Sequence, residues 1–131
     1  MNKYRILVVD DELLIRDLLY DFFSSQDWDI MVADGGNKAI EYLKNQDFDI
    51  VLTDLKMPDM DGMALAGRIR ELYQGLPVII MTGYPSLDTA IEALRYKIDD
   101  YIIKPFNINQ LFKSVKRVVE ESNSEVQAGE A

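Results

Sequence analysis

The sequence has 131 residues, of which 48% are hydrophobic, and this suits one compact domain with a buried core. Its formal net charge of −9 and pI near 4.4 disfavour direct binding to nucleic acid or to an anionic membrane, because both need basic surface. The sequence contains neither cysteine nor histidine, which excludes disulfides, thiolate and imidazole metal ligands, and a Ser-His catalytic pair.

The chain begins with MNKYRILVVDDE, whose apolar run is too short and too soon interrupted by acids for a signal peptide. No later stretch approaches the roughly 20 apolar residues of a membrane span. These two features predict a soluble cytoplasmic domain without membrane association.

Five predicted strands alternate with five predicted helices. The strands are expected at residues 6–9, 29–33, 48–53, 77–81 and 100–103. The first three helices are expected at about residues 12–24, from a Gly35-Gly36 turn to about residue 45, and at about 63–73. The last two are expected to begin at N-caps on Ser86 and Asn107, and the final helix to end at about Glu121. The small and polar residues 123–131 are interpreted as a flexible tail or the start of a linker, which leaves residues 1–122 as the domain.

This alternation predicts an α/β fold with a parallel sheet covered by helices on both faces. The aliphatic runs LVV, IVL and VII are typical of strands that are buried on both sides. Right-handed crossovers place the carboxyl ends of all the strands at one edge of the sheet, where ligands of open α/β sheets bind.

Acidic residues follow two of the predicted strands. Asp10 and Asp11 follow the first strand and Asp54 follows the third, so the three meet if those strands are neighbours. Two carboxylates ~5 Å apart repel by roughly 3 kcal/mol at an effective dielectric constant near 20. A cation or a bound proton is therefore expected, and oxygen ligands alone favour Mg²⁺. The alternative is that Asp10 and Asp11 only cap the following helix, but Asp54 at the end of a second buried strand favours the metal site.

A hydroxyl and an ammonium group are expected at the same edge. Thr82 follows the fourth strand and Lys104 follows the fifth. Taken singly, Thr82 has an ordinary interpretation as a strand residue and Lys104 as a solvated charge. Together with the acids they suit a phosphoryl group, since an aspartate can form an acyl phosphate while cations and a hydroxyl stabilise the oxygen charge.

Four motifs in this order, VVDDE, LTDLKMPDMDG, MTGYPS and DYIIKPF, resemble those of bacterial two-component response regulator receiver domains of the CheY-like superfamily. The resemblance covers roughly residues 3–121. It implies a flavodoxin-like, doubly wound (βα)5 fold with a five-stranded parallel sheet in the order 2-1-3-4-5. It also implies a phosphoprotein that is not otherwise an enzyme, because it catalyses only its own phosphotransfer and slow dephosphorylation.

The resemblance assigns a role to each matching residue at the metal and phosphoryl positions. Asp54 corresponds to the phosphoacceptor. Asp11 corresponds to the direct Mg²⁺ ligand and Asp10 to the acid that holds the ion through water, while Lys56 would give its backbone carbonyl to the metal. Lys104 corresponds to the phosphate-binding lysine, and the Lys104-Pro105 bond to one that is commonly cis in this family.

The resemblance also implies a conformational switch. Thr82 corresponds to the switch hydroxyl and Tyr101 to the aromatic residue that turns inward when Thr82 is drawn to the phosphoryl group. The alternative for Tyr101 is an ordinary half-buried tyrosine in a strand. The surface that responds is formed by helix 4, strand 5 and helix 5.

The sequence departs from the family pattern at Lys97-Ile98, where Gly-Ala is frequent, and this predicts an altered output surface. Lys56 and Tyr84 stand at the two variable positions that are linked to the lifetime of the acyl phosphate. Both side chains are large enough to hinder an attacking water, so we expect slow self-dephosphorylation.

The implied partner is a sensor histidine kinase or a histidine phosphotransfer domain. The apolar stripe of helix 1 is broad, and its part around Leu14 or Ile15 is a candidate docking surface for that partner, with simple burial as the alternative. Helix 4 has apolar positions at Leu87, Ile91 and Leu94. A monomer is expected, with dimerisation on phosphorylation as a further hypothesis.

Three other classes of function are alternatives for this sequence. An FMN carrier is disfavoured because the DDE loop would repel a phosphate, and a phosphohydrolase because Lys56 stands where a second acid is needed. A phosphorylation-independent interaction module of the same fold is the main alternative.

Overall fold

The computed structural model describes the backbone of residues 3–130 and the side chains of residues 3–123. Strands and helices alternate as predicted from the sequence. The strands are β1 Arg5–Val9, β2 Asp29–Ala33, β3 Ile50–Asp54, β4 Val78–Thr82 and β5 Asp100–Ile103. The helices are α1 Leu13–Ser25, α2 Gly36–Asn45, α3 Gly62–Leu72, α4 Leu87–Arg95 and α5 Ile108–Glu130. No helix in this part of the chain is long and apolar enough to cross a membrane.

The five strands form one parallel sheet in the order β2-β1-β3-β4-β5, which confirms the predicted fold class. The register aligns the carboxyl ends of the strands. Val9 pairs with Thr53, Asp54 pairs with Met81, and Thr82 pairs with Ile103. The residues that follow or end the three central strands therefore lie side by side at one edge.

The core has one layer on each face of the sheet, because alternate residues of a strand point to opposite faces. Ile6 and Val8 pack with α1 and α5, where Phe23 and Val115 are fully buried. Leu7 and Val9 pack on the other face with the buried residues of α2 and α3, which include Ile40, Leu65 and Ile69. Each such side chain contributes roughly 1.5–3 kcal/mol on burial.

The two predicted caps are confirmed. Ser86 accepts a hydrogen bond from the N–H of Thr89 at the start of α4 (3.1 Å). Asn107 Oδ1 accepts hydrogen bonds from the N–H groups of Asn109 (3.0 Å) and Gln110 (3.1 Å) at the start of α5. Each cap satisfies N–H groups that have no partner within the helix.

The predicted end of the last helix was wrong. It was expected near Glu121, but α5 continues to Glu130. The added segment contains Glu, Gln and Ala without proline, and extending an existing helix costs far less than starting one. Whether the domain itself ends at residue 122 stays a prediction, and Ala131 lies outside the described residues.

Lys97 at the end of α4 adopts a left-handed conformation, with a φ of 55°. Side chains other than glycine rarely adopt this region. Arg70 of α3 supports the turn from inside, since its Nε donates to the carbonyl of Tyr96 (2.8 Å). In the Lys97-Ile98 pair that departs from the family pattern, Lys97 therefore takes the backbone conformation that glycine favours, and Ile98 packs on the core.

Candidate functional site

Asp10, immediately after β1, is fully buried and has every oxygen engaged. Its Oδ1 accepts a hydrogen bond from the N–H of Glu12 (2.9 Å), and its Oδ2 accepts one from Lys104 Nζ (2.9 Å). Its carbonyl accepts a hydrogen bond from Arg16 Nη1 (2.8 Å). Oδ1 thus binds the N–H of Glu12, the residue before α1, while Oδ2 faces Lys104. Among the described residues no side chain caps the start of α1, so the capping alternative is not confirmed.

Asp54 is the last residue of β3, and its side chain is only 7% exposed. Its Oδ1 accepts a hydrogen bond from the N–H of Leu55 (2.8 Å), and its Oδ2 lies 3.4 Å from Lys104 Nζ. Burial raises the pKa of Asp54, and the charge of Asp10 raises it further, while Lys104 and the N–H of Leu55 lower it. The net result is a carboxylate whose charge is incompletely balanced by the protein.

Lys104 contacts three acids on two other chain segments. Its Nζ lies 2.9 Å from Asp10, 3.4 Å from Asp54 and 3.7 Å from Glu12. Burial alone would lower the pKa of Lys104, but the hydrogen bond and charge of Asp10 and the charge of Asp54 outweigh burial, so the pKa is raised. The Lys104-Pro105 bond is cis, as the family pattern implies.

The carboxylates of Asp10, Glu12 and Asp54 each offer an oxygen within 4.8 Å of the others. A set of carboxylate oxygens with two buried members fits a hard divalent cation, because its negative charge exceeds what Lys104 can balance. Glu12 was not among the ligands predicted from the sequence, although it directly follows the acid pair. Asp11 is exposed and does not belong to this group, so its role as a direct ligand stays a prediction.

Thr82, the last residue of β4, is fully buried beside this cluster. Its Oγ1 accepts a hydrogen bond from the N–H of Tyr84 (2.9 Å), and its carbonyl accepts one from the N–H of Lys104 (2.8 Å). Tyr84 and Lys56 are both exposed. The structure therefore brings Thr82 to the predicted edge, while the effect of Lys56 and Tyr84 on hydrolysis stays a prediction.

Tyr101 lies half-buried in β5, where its hydroxyl is 2.7 Å from Thr89 Oγ1 of α4. Its ring packs beside a small cluster that contains Ile80 and Ala93. Thr89 was not predicted from the sequence, and no periodic pattern marks it. The switch role of Tyr101 stays a prediction.

The surface of α1 nearest this edge is apolar. Leu13, Leu14 and Leu18 are 59%, 82% and 47% exposed, whereas Leu19 is fully buried. Simple burial is therefore wrong for Leu14, and Ile15 is only partly buried. Docking of a partner on this surface is left as the remaining hypothesis.

Residues 6–116 match the family model of the response regulator receiver domain. The chain is 36% identical over 119 residues to the transcriptional regulatory protein ZraR of Escherichia coli K12, covering 91% of this chain and 27% of ZraR. It spans about a quarter of the length of the curated relatives it matches.

Solved structures show the same fold. A CheY-like response regulator receiver domain protein from Methanospirillum hungatei JF-1 superposes with a TM-score of 0.92 at 31% identity, covering 95% of this chain and 99% of that one. The response regulator TrrA from Thermotoga maritima superposes with a TM-score of 0.80 at 32% identity, covering 88% and 98%. TrrA was crystallised in complex with Mg²⁺ and BeF.

Proposed function

This chain belongs to the response regulator receiver domain family, and we propose that Asp54 is its phosphoacceptor. The observation that carries the proposal is the position of Asp54 Oδ2, 3.4 Å from Lys104 Nζ within a group of acids that can hold a divalent cation. Asp54 Oδ1 is already engaged by the N–H of Leu55, so Oδ2 is the oxygen that bonds to phosphorus. The bond from phosphorus to the donor breaks, and its electron pair leaves with the donor.

We propose Mg²⁺ as the cofactor of this site. Asp10 and Asp54 would hold it together with Glu12 or Asp11 and the backbone carbonyl of Lys56. When bound, Mg²⁺ neutralises charge on the phosphoryl oxygens and acts as a Lewis acid. Because the carboxylates repel one another, the cation also removes an unfavourable interaction within the protein.

The protein's own side chains complete the chemistry. Lys104, already directed at Asp54, neutralises a phosphoryl oxygen. Thr82 Oγ1 is free to donate its proton, since its contact with the N–H of Tyr84 uses it as an acceptor. A hydrogen bond from the Thr82 hydroxyl to the phosphoryl oxygen draws Thr82 toward Asp54, and the side chain of Tyr101 then turns inward into the space that Thr82 leaves. The surface of α4, β5 and α5 changes as a result.

The proposed donor is a sensor histidine kinase or a histidine phosphotransfer domain, docked on the exposed leucines of α1. The domain acts in the cytoplasm as a monomer that dimerises when it is phosphorylated, and it does not itself bind nucleic acid. It has no enzymatic activity beyond its own phosphotransfer and a slow hydrolysis that Lys56 and Tyr84 retard.

The test is incubation with Mg²⁺ and acetyl phosphate, followed by intact mass measurement. We expect the mass of one added phosphoryl group on the wild-type protein, and none with EDTA or in Asp54→Asn. Absence of the adduct, in a protein that a histidine kinase also fails to label, would favour the phosphorylation-independent module.

A further inference from the structure

The loop that follows Asp54, residues 55–61, is attached to the start of α2. Asp59 Oδ1 accepts a hydrogen bond from the N–H of Gly36 (3.2 Å), and Asp59 Oδ2 accepts one from the N–H of Asn37 (3.0 Å). The N-cap of α2 is Gly35, which has no side chain to accept these bonds. Asp59 therefore supplies, from another part of the chain, the cap that α2 lacks.

The charge of Asp59 suits this position. The N–H of Asn37 lowers its pKa, slight burial opposes this, and the N–H of Gly36 lowers it further. The amino-terminal end of a helix also favours a negative charge. Asp59 is consequently ionised at neutral pH and bonded through both oxygens.

The contact between Asp59 and the start of α2 requires glycine at two positions, because a side chain would not fit there. A Cβ added to Gly35 would lie 2.6 Å from Asp59 Oδ1, and one added to Gly36 would lie 2.9 Å from the Cβ of Met60. The three atoms nearest to the Gly35 position all belong to the carboxyl group of Asp59. Gly35 is extended, with a φ of −172°, so lack of room and not backbone conformation excludes a side chain.

The two ends of the same loop are fixed at the phosphoacceptor. The N–H of Gly62 donates to the carbonyl of Leu55 (2.7 Å), and the N–H of Leu55 donates to the carbonyl of Met81 (2.9 Å). A Cβ on Gly62 would clash with the carbonyl oxygen of Asp54. Between these ends lies Lys56, whose carbonyl is a proposed metal ligand.

We propose that Asp59 is a positioning residue for the metal site. By attaching the middle of the loop to α2, it fixes the backbone of Lys56, two residues after Asp54, in the position from which its carbonyl would hold the metal. This inference rests on the proposed function, in which the Lys56 carbonyl holds Mg²⁺. Partners that orient a ligand typically affect metal affinity by about 10–100-fold, and we expect about tenfold weaker Mg²⁺ binding in Asp59→Ala.

A rescue variant separates positioning from helix stability. Asp59→Ala removes the atoms that crowd Gly35, so Gly35→Ser can then cap α2 from its own chain without restoring the link to the loop. We expect Asp59→Ala to lower both the Tm and the Mg²⁺ affinity, and the double variant to regain the Tm alone. Asn107→Ala is the matched control, because it also removes two backbone hydrogen bonds at a helix start. It should lower the Tm and leave Mg²⁺ affinity at the wild-type value.

The measurements are the Tm and the Mg²⁺ dissociation constant, the latter from titration of backbone amide NMR signals, which reports binding without phosphorylation. If the wild-type protein binds Mg²⁺ and Asp59→Ala binds it equally tightly, the inference is wrong and the proposed function stands. Recovery of Mg²⁺ affinity in the double variant would show that Asp59 only stabilises α2, and would also overturn it. A wild-type protein that binds no Mg²⁺ would overturn the proposed function together with the inference.

Discussion

The two helices that follow the central strands differ sharply in how they are held. β3 and β4 are equally buried, yet α3 buries five residues, which are Gly62, Met63, Leu65, Ala66 and Ile69, whereas α4 buries only Ala93. The three apolar positions of α4, Leu87, Ile91 and Leu94, are 76%, 41% and 78% exposed. The side of the site that carries Asp54 is therefore fixed by the core, while the side that carries Thr82 leads into a weakly anchored helix.

In the proposed function, this difference divides the site into a part that holds the phosphoacceptor and the metal ligands and a part that responds to phosphorylation. A phosphoacceptor and metal ligands need fixed positions, and α3 with its loop provides them. α4 is held by the Ser86 cap and by the hydrogen bond between Thr89 and Tyr101. Each such hydrogen bond contributes only about 1 kcal/mol to stability, because water can take its place. Elements with few buried contacts open and move most readily, so a shift at Thr82 can be transmitted to α4 without disturbing Asp54.

The largest expected effect lies on the fixed side. Asp54→Asn should abolish the phosphoryl adduct and, without metal, should be more stable than the wild type at neutral pH. The raised pKa means that the folded wild type binds the proton more tightly than the unfolded chain, so the stability associated with Asp54 falls as pH rises above the ordinary value of 3.8. Urea unfolding from about pH 4 to pH 7 should show the advantage of Asp54→Asn growing with pH. If the stability difference between Asp54→Asn and wild type stays constant across that range, the raised pKa of Asp54 is not its cause.

Lys104 contacts both the Asp54 side and the Thr82 side of the site, and its removal is expected to have the next largest effect. Lys104→Met leaves Asp10 and Asp54 without their cation, and breaking a buried ion pair in this way costs about 3 kcal/mol. Urea unfolding without metal measures this loss. Saturating Mg²⁺ should reduce the difference from wild type, since the cation takes over charge balance at the acids. Equal loss with and without Mg²⁺ would show that Lys104 contributes mainly by packing.

On the weakly anchored side, Thr89→Val should remove the hydrogen bonds of the Thr89 hydroxyl to Tyr101 and Ser86 while keeping the shape of the side chain. We expect a loss of about 1 kcal/mol, with amide NMR shifts and faster hydrogen exchange in α4 and little change in α3. Thr89→Ser, which keeps the hydroxyl, is the control and should remain close to wild type. Equal perturbation of both helices would break the proposed division of the molecule.

The smallest effect is expected at the end of α4. Lys97→Gly should stabilise the protein by less than about 1 kcal/mol, because glycine adopts the left-handed conformation of this residue without strain. Thermal unfolding measures the change, and Lys113→Gly within α5 is a contrasting variant that should destabilise. A lower Tm for Lys97→Gly would indicate that its side chain makes a compensating contact.

Much of the fold was predictable because it depends on local pattern. Fully buried strands need aliphatic runs, and covering helices need amphipathic ones, so the order of elements followed from periodicity. The caps at Ser86 and Asn107 were predictable for the same reason, since each satisfies N–H groups two or three residues away. The orientation of α4 was not, because its stripe of Leu87, Ile91 and Leu94 turned out to face solvent.

The sequence by itself determined which chemical groups stand at the strand ends: Asp10, Asp54, Thr82 and Lys104 follow or end strands, and parallel strands must bring those ends to one edge. Only the tertiary structure decided which atoms meet there. It placed Glu12 beside Asp54, directed one ammonium group at three acids, and joined Asp59 to an N–H 22 residues away. Such contacts depend on loop conformation and side-chain direction, which packing of the whole chain fixes and which neighbours in sequence do not.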